Sequence, residues 1–269
     1  MLDELVPQID APRVHALLAE AQGRFDVEAR RECGSTNSEL LTLAENGAAS
    51  GTVLVADHQT AGRGRRGRQW IASPDASLTF SVLWRFAGGL ERLAGLSLAV
   101  GVALVQALEA LGAKGVALKW PNDLLYKNGK LGGILIELQG DPNHALAVIG
   151  IGLNLHAPAD QTLSNEFALV AASLDQILDP LPERSVLFAE LLRQLAGVFD
   201  QFSNGGFAAL RERWQAMNVW QNCPVRLIGD GCVVKEGICL GADNDGSLLL
   251  GTKNGVERCL SGDLSLRAR

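Results

Sequence analysis

Arg63, Arg65, Arg66 and Arg68 stand within ten residues, "AGRGRRGRQW" (61–70), interleaved with Gly62, Gly64 and Gly67 and closed by Trp70. Guanidiniums are fork-shaped donors that fit phosphate and carboxylate oxygens. Glycines let a backbone come close to a ligand. Four neighbouring cations repel one another, so the segment is expected to stay loose until an anion arrives. A solvated basic patch, or an arginine–glycine segment that binds nucleic acid, fits the same composition. The Walker phosphate pattern is missing, because no Gly-Lys-Ser/Thr follows, and no helix opens after the segment as a dinucleotide fingerprint requires.

Three further clusters could join it. "KWPND" (119–123) ends a buried strand with Lys119, Asn122 and Asp123, and Pro121 stiffens the backbone there. Lys130 opens the apolar return strand "KLGGILIE", where a lysine is costly unless it meets an anion; a surface hairpin with solvated charges is the plainer alternative. In "GIGLN", Gly150 and Gly152 mark either close approach of a ligand to a strand or a bulge, with Asn154 beside them. Ser35, Thr36 and Asn37 open a helix. Capping alone explains such residues, and a helix N-terminus can also hold a polar or anionic ligand group. His15, His58, His144 and His156 are scattered, and no Ser-His-Asp or Cys-His arrangement is visible. Any catalysis must then work by positioning and charge stabilisation.

The scaffold for these clusters reads as α+β. Residues 13–22 form a short amphipathic helix and 24–33 a strand. Thr36 and Glu39 have capping-box spacing, and Gly47 supplies a C-terminal stop. "TVLVAD" (52–57) and "ASLTFSVLW" (76–84) are strands, and 91–111 is a long buried helix. Two apolar strands flank Asn128-Gly129, a strong hairpin signal. "LAVIGIGLNL" (146–155) is another buried strand; 184–203 and 206–217 are helices. From residue 222 the texture changes to short strands between GDG, NDG and KNG turns, the pattern of a small β-barrel of about 45 residues. The expected division is therefore 1–221 and 222–269.

Composition bounds the function. The chain has 269 residues, 47% of them apolar and 20% charged, with a net charge of −6. That excludes a disordered chain and argues against broad nucleic-acid or membrane-surface binding. The positive charge is local, so its target is expected to be small. The acidic N-terminus is not a signal peptide. The stretch 93–108 is shorter than the roughly 20 residues a bilayer crossing needs. Cys33, Cys223, Cys232, Cys239 and Cys259 fit no zinc or disulfide framework, which points to a reducing, cytoplasmic setting.

Taken in order, "STN", "HQTAGRGRRGRQW", "KWPNDLLYKNGKLGGILIE" and "GIGLNL" resemble the biotin–protein ligases, from about residue 27 to the C-terminus. The resemblance implies a class II aminoacyl-tRNA-synthetase-like catalytic domain, with a mixed sheet and flanking helices, followed by an SH3-like barrel. It implies that biotin and ATP form biotinyl-5′-AMP, with Mg²⁺ on the phosphates. Biotin then passes to a lysine of a biotin carboxyl carrier protein, typically that of acetyl-CoA carboxylase. Ser35, Thr36, Asn37 and Gln59 should contact the biotin ring. Arg63, Gly64 and Arg65 should close over biotin and the adenylate, with Gly133 beside them. Arg65 and Arg68 should meet phosphates, and Trp70 should form the adenine side. Asn122 and Asp123 should lie near phosphates and metal. Lys130 should bridge the biotin carboxylate and the α-phosphate, with Arg65 as the second catalytic group. Asn154 and Arg267 should border the nucleotide. Only about thirty residues precede the catalytic region, too few for a winged helix-turn-helix, so a monofunctional ligase without DNA binding or membrane association is expected. Homodimerisation through the sheet is a further possibility within the family. A lipoate–protein ligase-like acyl transferase and a non-catalytic biotin sensor are the rival readings.

Overall fold

Apolar runs rich in Val, Leu and Ile assemble into a seven-stranded sheet. The computed structural model describes residues 6–71, 76–141, 143–157, 170–229, 231–262 and 264–269. The strands are β1 (Asp26–Cys33), β2 (Thr52–Gln59), β3 (Ser77–Ala87), β4 (Val116–Lys119), β5 (Asp123–Tyr126), β6 (Gly129–Gly140) and β7 (His144–Asn154). Their order is β1-β2-β3-β7-β6-β5-β4. β1 and β2 run parallel and every other pair antiparallel. Helices α1 (Ala11–Leu17), α2 (Thr36–Glu45), α3 (Leu96–Ala110), α4 (Arg184–Gly205) and α5 (Arg211–Met217) complete the α+β arrangement.

Side chains alternate across a strand, and the two faces bury different partners. Leu54, Leu83, Leu146 and Val148 turn toward Leu40 of α2. Val53, Val55, Phe80, Val82, Ile149 and Ile151 turn the other way, into the main core with α3 and α4. α3 is apolar on almost every side because it is buried on almost every side. It starts at Leu96 rather than residue 91. Leu90–Leu93 forms a 3₁₀ turn, and Gly95 then takes φ 80. A Cβ at Gly95 would lie 2.6 Å from Phe207 Cβ, so only glycine allows that approach.

The C-terminal strands are β8 (Pro224–Gly229), β9 (Cys232–Ala242), β10 (Leu248–Thr252), β11 (Gly255–Cys259) and β12 (Leu264–Ala268). They form an antiparallel sheet of order β11-β10-β9-β8-β12. The expected closed barrel is not found: β11 and β12 are the two edges, and among the described residues they do not pair with each other. Val225, Leu227, Leu248, Leu250 and Leu266 nevertheless join the same core as α3 and α4. The fully buried Trp120 donates its indole N–H to the carbonyl of Gly246 at 3.0 Å, across the two sheets.

Local boundaries moved by one to five residues. Asp10 accepts from the Arg13 amide and starts α1 at Ala11, and the helix ends at Leu17 rather than residue 22. Tyr126 pairs with Gly129, so the hairpin turn is Lys127-Asn128, one residue earlier than expected, with Lys127 at φ 52. The Thr36–Glu39 capping box does not form. Ser35 holds the N-cap position, Thr36 is buried in a side-chain network, and the Glu39 carboxylate accepts from the Gly34 amide instead.

Candidate active site

Strand register builds the floor of the site. Residues paired across antiparallel strands face the same way. Ala56, Thr79, Gly152, Gly133, Asp123 and Lys119 therefore form one row across six strands. Leu54, Ser81, Gly150 and Leu135 form the next row, and Val148 and Glu137 pair beyond it. The glycines leave the middle of the floor bare. A Cβ at Gly152 would lie 2.4 Å from the Trp70 ring, and one at Gly150 would lie 2.2 Å from the Asn37 side-chain oxygen. Close approach, and not a bulge, accounts for both.

One pocket gathers Ser35, Thr36, Asn37, Gln59, Arg63, Gly64, Arg65, Trp70, Asn122, Lys130 and Gly133. Four sequence clusters thus meet in one place. Its deep end is polar and buried. Gln59 Oε1 accepts from the Thr36 amide at 2.8 Å. Ser81 Oγ lies 2.7 Å from Thr36 Oγ1 and donates to Asn37 Oδ1 at 2.6 Å. Ser35, Thr36 and Asn37 therefore do more than cap α2.

The arginine segment is more ordered than its charge implies. Gly64 N–H donates to the Arg68 carbonyl, and Trp70 N–H to that of Gly62. The guanidiniums are spread over different partners. Arg63 pairs with Glu137 at 2.7 Å and donates to Ser38. Arg65 donates to Asn122 Oδ1 at 2.9 Å and to the carbonyls of Ser261 and Gly262 in the C-terminal sheet. Arg63 and Arg65 are thus held by protein groups without an added anion.

At the other end, Asp123 sits between two lysines. Its Oδ2 is 2.5 Å from Lys119 Nζ and its Oδ1 is 2.8 Å from Lys130 Nζ. Burial opposes the Asp123 charge, but the two ammonium groups outweigh it and hold the carboxyl well below its usual range. Burial pushes Lys119 down to about 8, with Asp123 opposing the shift and Arg267 and Lys130 adding to it. Asp123 does not fit the role of metal ligand. Both of its oxygens are engaged by cations, which would also repel a metal. Among the described residues no three His, Cys, Asp or Glu side chains converge on a metal position.

Four other expected site residues stand outside the pocket lining. Asn154 donates to the carbonyls of Lys130 and Ala172, so it ties down the backbone of Lys130 rather than facing a ligand. Arg68 is exposed. Arg267 of β12 is close to the lysine–aspartate cluster; burial lowers its pKa, Asp123 opposes this, and Arg68 and Arg66 add to it. Asp123 is outside the lining but ion-paired to Lys130, which is in it. Trp70 does line the pocket, lying against Gly152 with Lys130 Nζ 5.6 Å from its ring centre. Its indole N–H is buried and has no partner among the described residues. Ser81 and Glu137 touch the residues of the site and were missed, and Lys119 was singled out in the sequence but given no role. The signal for Lys119 was a lysine at the end of an apolar strand; Ser81 and Glu137 carried none.

A mixed sheet with a bare glycine floor thus carries a pocket that is polar at one end and cationic at the other. The biotin/lipoate A/B protein ligase family model matches residues 31–154. The bifunctional ligase/repressor BirA of Escherichia coli is 37% identical over 237 residues, covering 87% of this chain and 72% of that protein. The biotin–[acetyl-CoA-carboxylase] ligase of Mycobacterium tuberculosis is 34% identical over 255 residues, covering 92% of each. Among solved structures, the biotin protein ligase of Aquifex aeolicus in complex with biotin and ATP superposes with a TM-score of 0.75 at 29% identity, covering 91% of this chain and 99% of that one. The chain belongs to the biotin/lipoate A/B protein ligase family, on its biotin protein ligase side.

Proposed function

We propose that this protein activates biotin with ATP to biotinyl-5′-AMP and pyrophosphate, and then transfers biotin to a lysine of a biotin carboxyl carrier domain. The observation that carries the reading is the single pocket whose buried polar end is joined to the Lys130–Arg65 cationic end. A ureido ring needs hydrogen-bond partners in a dry site. A carboxylate and a triphosphate need cations to meet at all. ATP would enter with Mg²⁺ carried on its own phosphates. Among the described residues the site offers that ion no free carboxylate, so no step is assigned to it.

Ser35, Thr36, Asn37 and Gln59 would receive the ring, and Lys130 Nζ would draw the biotin carboxylate to the α-phosphorus. Arg65, now on Asn122 and the Ser261–Gly262 carbonyls, would turn to the phosphates, with Arg68 and Arg267 beside it. Asn122 would anchor the closed segment, Trp70 would offer its ring to adenine, and Gly64 and Gly133 would keep the backbone close. Asn154 would hold Lys130 in place. Closure would keep water from the mixed anhydride. Residues 222–269 would form the SH3-like unit, although its sheet is open. The setting is taken as the cytoplasm, where ATP and the acceptor are found. A lipoate substrate is disfavoured because a dithiolane ring has no N–H or C=O to satisfy the polar end.

The test is pyrophosphate release from purified protein with Mg-ATP and biotin, lipoate or neither. Release with biotin alone is expected, followed by labelling of an added carrier domain. Release with lipoate alone would overturn the reading. Binding of biotin without release would make the protein a sensor.

A further inference from the structure

Glu137 ends the "KWPNDLLYKNGKLGGILIE" stretch with no role assigned to it by the resemblance, yet it touches two parts of the site. Its register partner is Val148, which puts its side chain on the pocket face of β6. Oε2 accepts from Asn37 Nδ2 at 2.9 Å, and Oε1 accepts from Arg63 at 2.7 Å. The carboxylate therefore stands between the residue expected at the ligand ring and the segment expected to close over it.

Resting on the reading of this pocket as a biotin site, we infer that Glu137 is a positioning residue that fixes Asn37 as the hydrogen-bond acceptor for a ring N–H and straps that recognition to the arginine segment. The argument is one of amide orientation. A carboxylate only accepts, so it holds the NH₂ end of Asn37 toward itself. The second hydrogen of that group points to the Leu135 carbonyl at 3.4 Å. Asn37 Oδ1 receives Ser81 at 2.6 Å and keeps a further lone pair for the pocket. A flipped amide would set its oxygen against the Glu137 carboxylate and its NH₂ against the bare floor at Gly150. Glu137 thus selects ligands that offer N–H at this point, as a ureido ring does. Arg63 then balances the charge of Glu137 when the segment lies over the pocket, so ring recognition and closure share one carboxylate.

The experiment compares wild type with Glu137→Gln and Arg63→Ala in biotin-dependent pyrophosphate release. Biotin and biotin methylated at its ureido nitrogens serve as the two probes. Glu137→Gln can offer its own NH₂ to a flipped Asn37. Its KM for biotin should rise tenfold or more, with kcat at saturating biotin within a few-fold of wild type. Its preference for biotin over the methylated form should shrink at least tenfold. Arg63→Ala leaves the Glu137–Asn37 bond in place, so it should keep the wild-type preference while losing affinity for both. An unchanged preference in Glu137→Gln, or an equal loss of preference in both variants, would overturn the inference. Thermal unfolding of each variant separates these results from a folding defect. If Glu137→Gln is unfolded, Glu137→Asp, one methylene too short to reach both partners, takes its place with the same expected loss. Failure of the wild type to release pyrophosphate with biotin would instead refute the biotin reading, and this inference with it.

Discussion

Lys119, Asp123 and Lys130 together carry one net positive charge when both lysines are protonated, and Arg267 adds to their field. Burial has brought Lys119 down to about 8, so the trio becomes neutral as pH rises through that value. Asp123 then has one cation left and holds Lys130 more firmly, so the cluster no longer offers net positive charge to incoming anions. Adenylation kcat/KM should therefore fall above about pH 8, as a pH profile would record. Lys119→Met should already show at pH 7 the low rate that wild type reaches at pH 9; a wild-type profile in that variant would sink the argument. The stability signs follow from linkage. Asp123 is depressed, so its contribution is present above the ordinary carboxylate pKa and is lost as pH falls through its folded value. Lys119 is also depressed, so its buried charge costs stability below about pH 8. Lys130→Ala removes the cation that faces the pocket, and adenylate formation should drop by about 10²–10³, the scale on which a lost electrostatic donor acts. Pyrophosphate release near wild type from a folded variant would remove Lys130 from the chemistry.

At the scale of strands, the glycine rows decide whether a ligand fits at all. A Cβ at Gly150 would stand 2.2 Å from Asn37 Oδ1, which is held by Ser81 and, through the amide, by Glu137. Gly150→Ala must push Asn37 out of line, and biotin KM should rise tenfold or more while thermal unfolding stays close to wild type. Unchanged biotin KM would mean that Asn37 does not meet the ligand. The two glycines, the arginine segment and Lys130 were legible in the sequence because each is unusual where it stands. Ser81 and Glu137 were not: a serine in "TFSVL" and a glutamate in "LIELQ" look like ordinary strand residues, and only pairing across β3, β7 and β6 aligns them with the pocket. Asp123 was found but its pairing with two lysines was not, because those partners are four residues before it and seven after it and meet it only through hairpin register. The open C-terminal sheet was hidden for a similar reason. Turn residues mark each hairpin, but whether the first and last strands close on each other depends on contacts far apart in the chain.

The two sheets behave as one body in this structure. One continuous core runs from Val53 and Phe80 through α3 and α4 to Leu227, Leu250 and Leu266. Trp120, next to the lysine–aspartate cluster, donates to Gly246 of the turn before β10, and Arg65 donates to the carbonyls of Ser261 and Gly262 before β12. The unit that begins near residue 222 is thus fastened to the site at its floor and at its lid. Trp120→Phe keeps an aromatic ring but leaves the Gly246 carbonyl without its donor, which costs about 1–3 kcal/mol. For a chain of this size that is a fall in Tm of about 2–4 °C per kcal/mol. Because the core is shared, calorimetry should show a single transition in wild type and variant alike, moved down in the variant. Two separated transitions would mean that the C-terminal sheet folds on its own and that the core does not couple the sheets. The same variant should also raise the KM for ATP, since Trp120 lies directly between Lys119 and Pro121-Asn122 and any shift there moves the Arg65–Asn122 contact. A lower Tm with unchanged ATP kinetics would confine the link between the sheets to stability and detach it from the site.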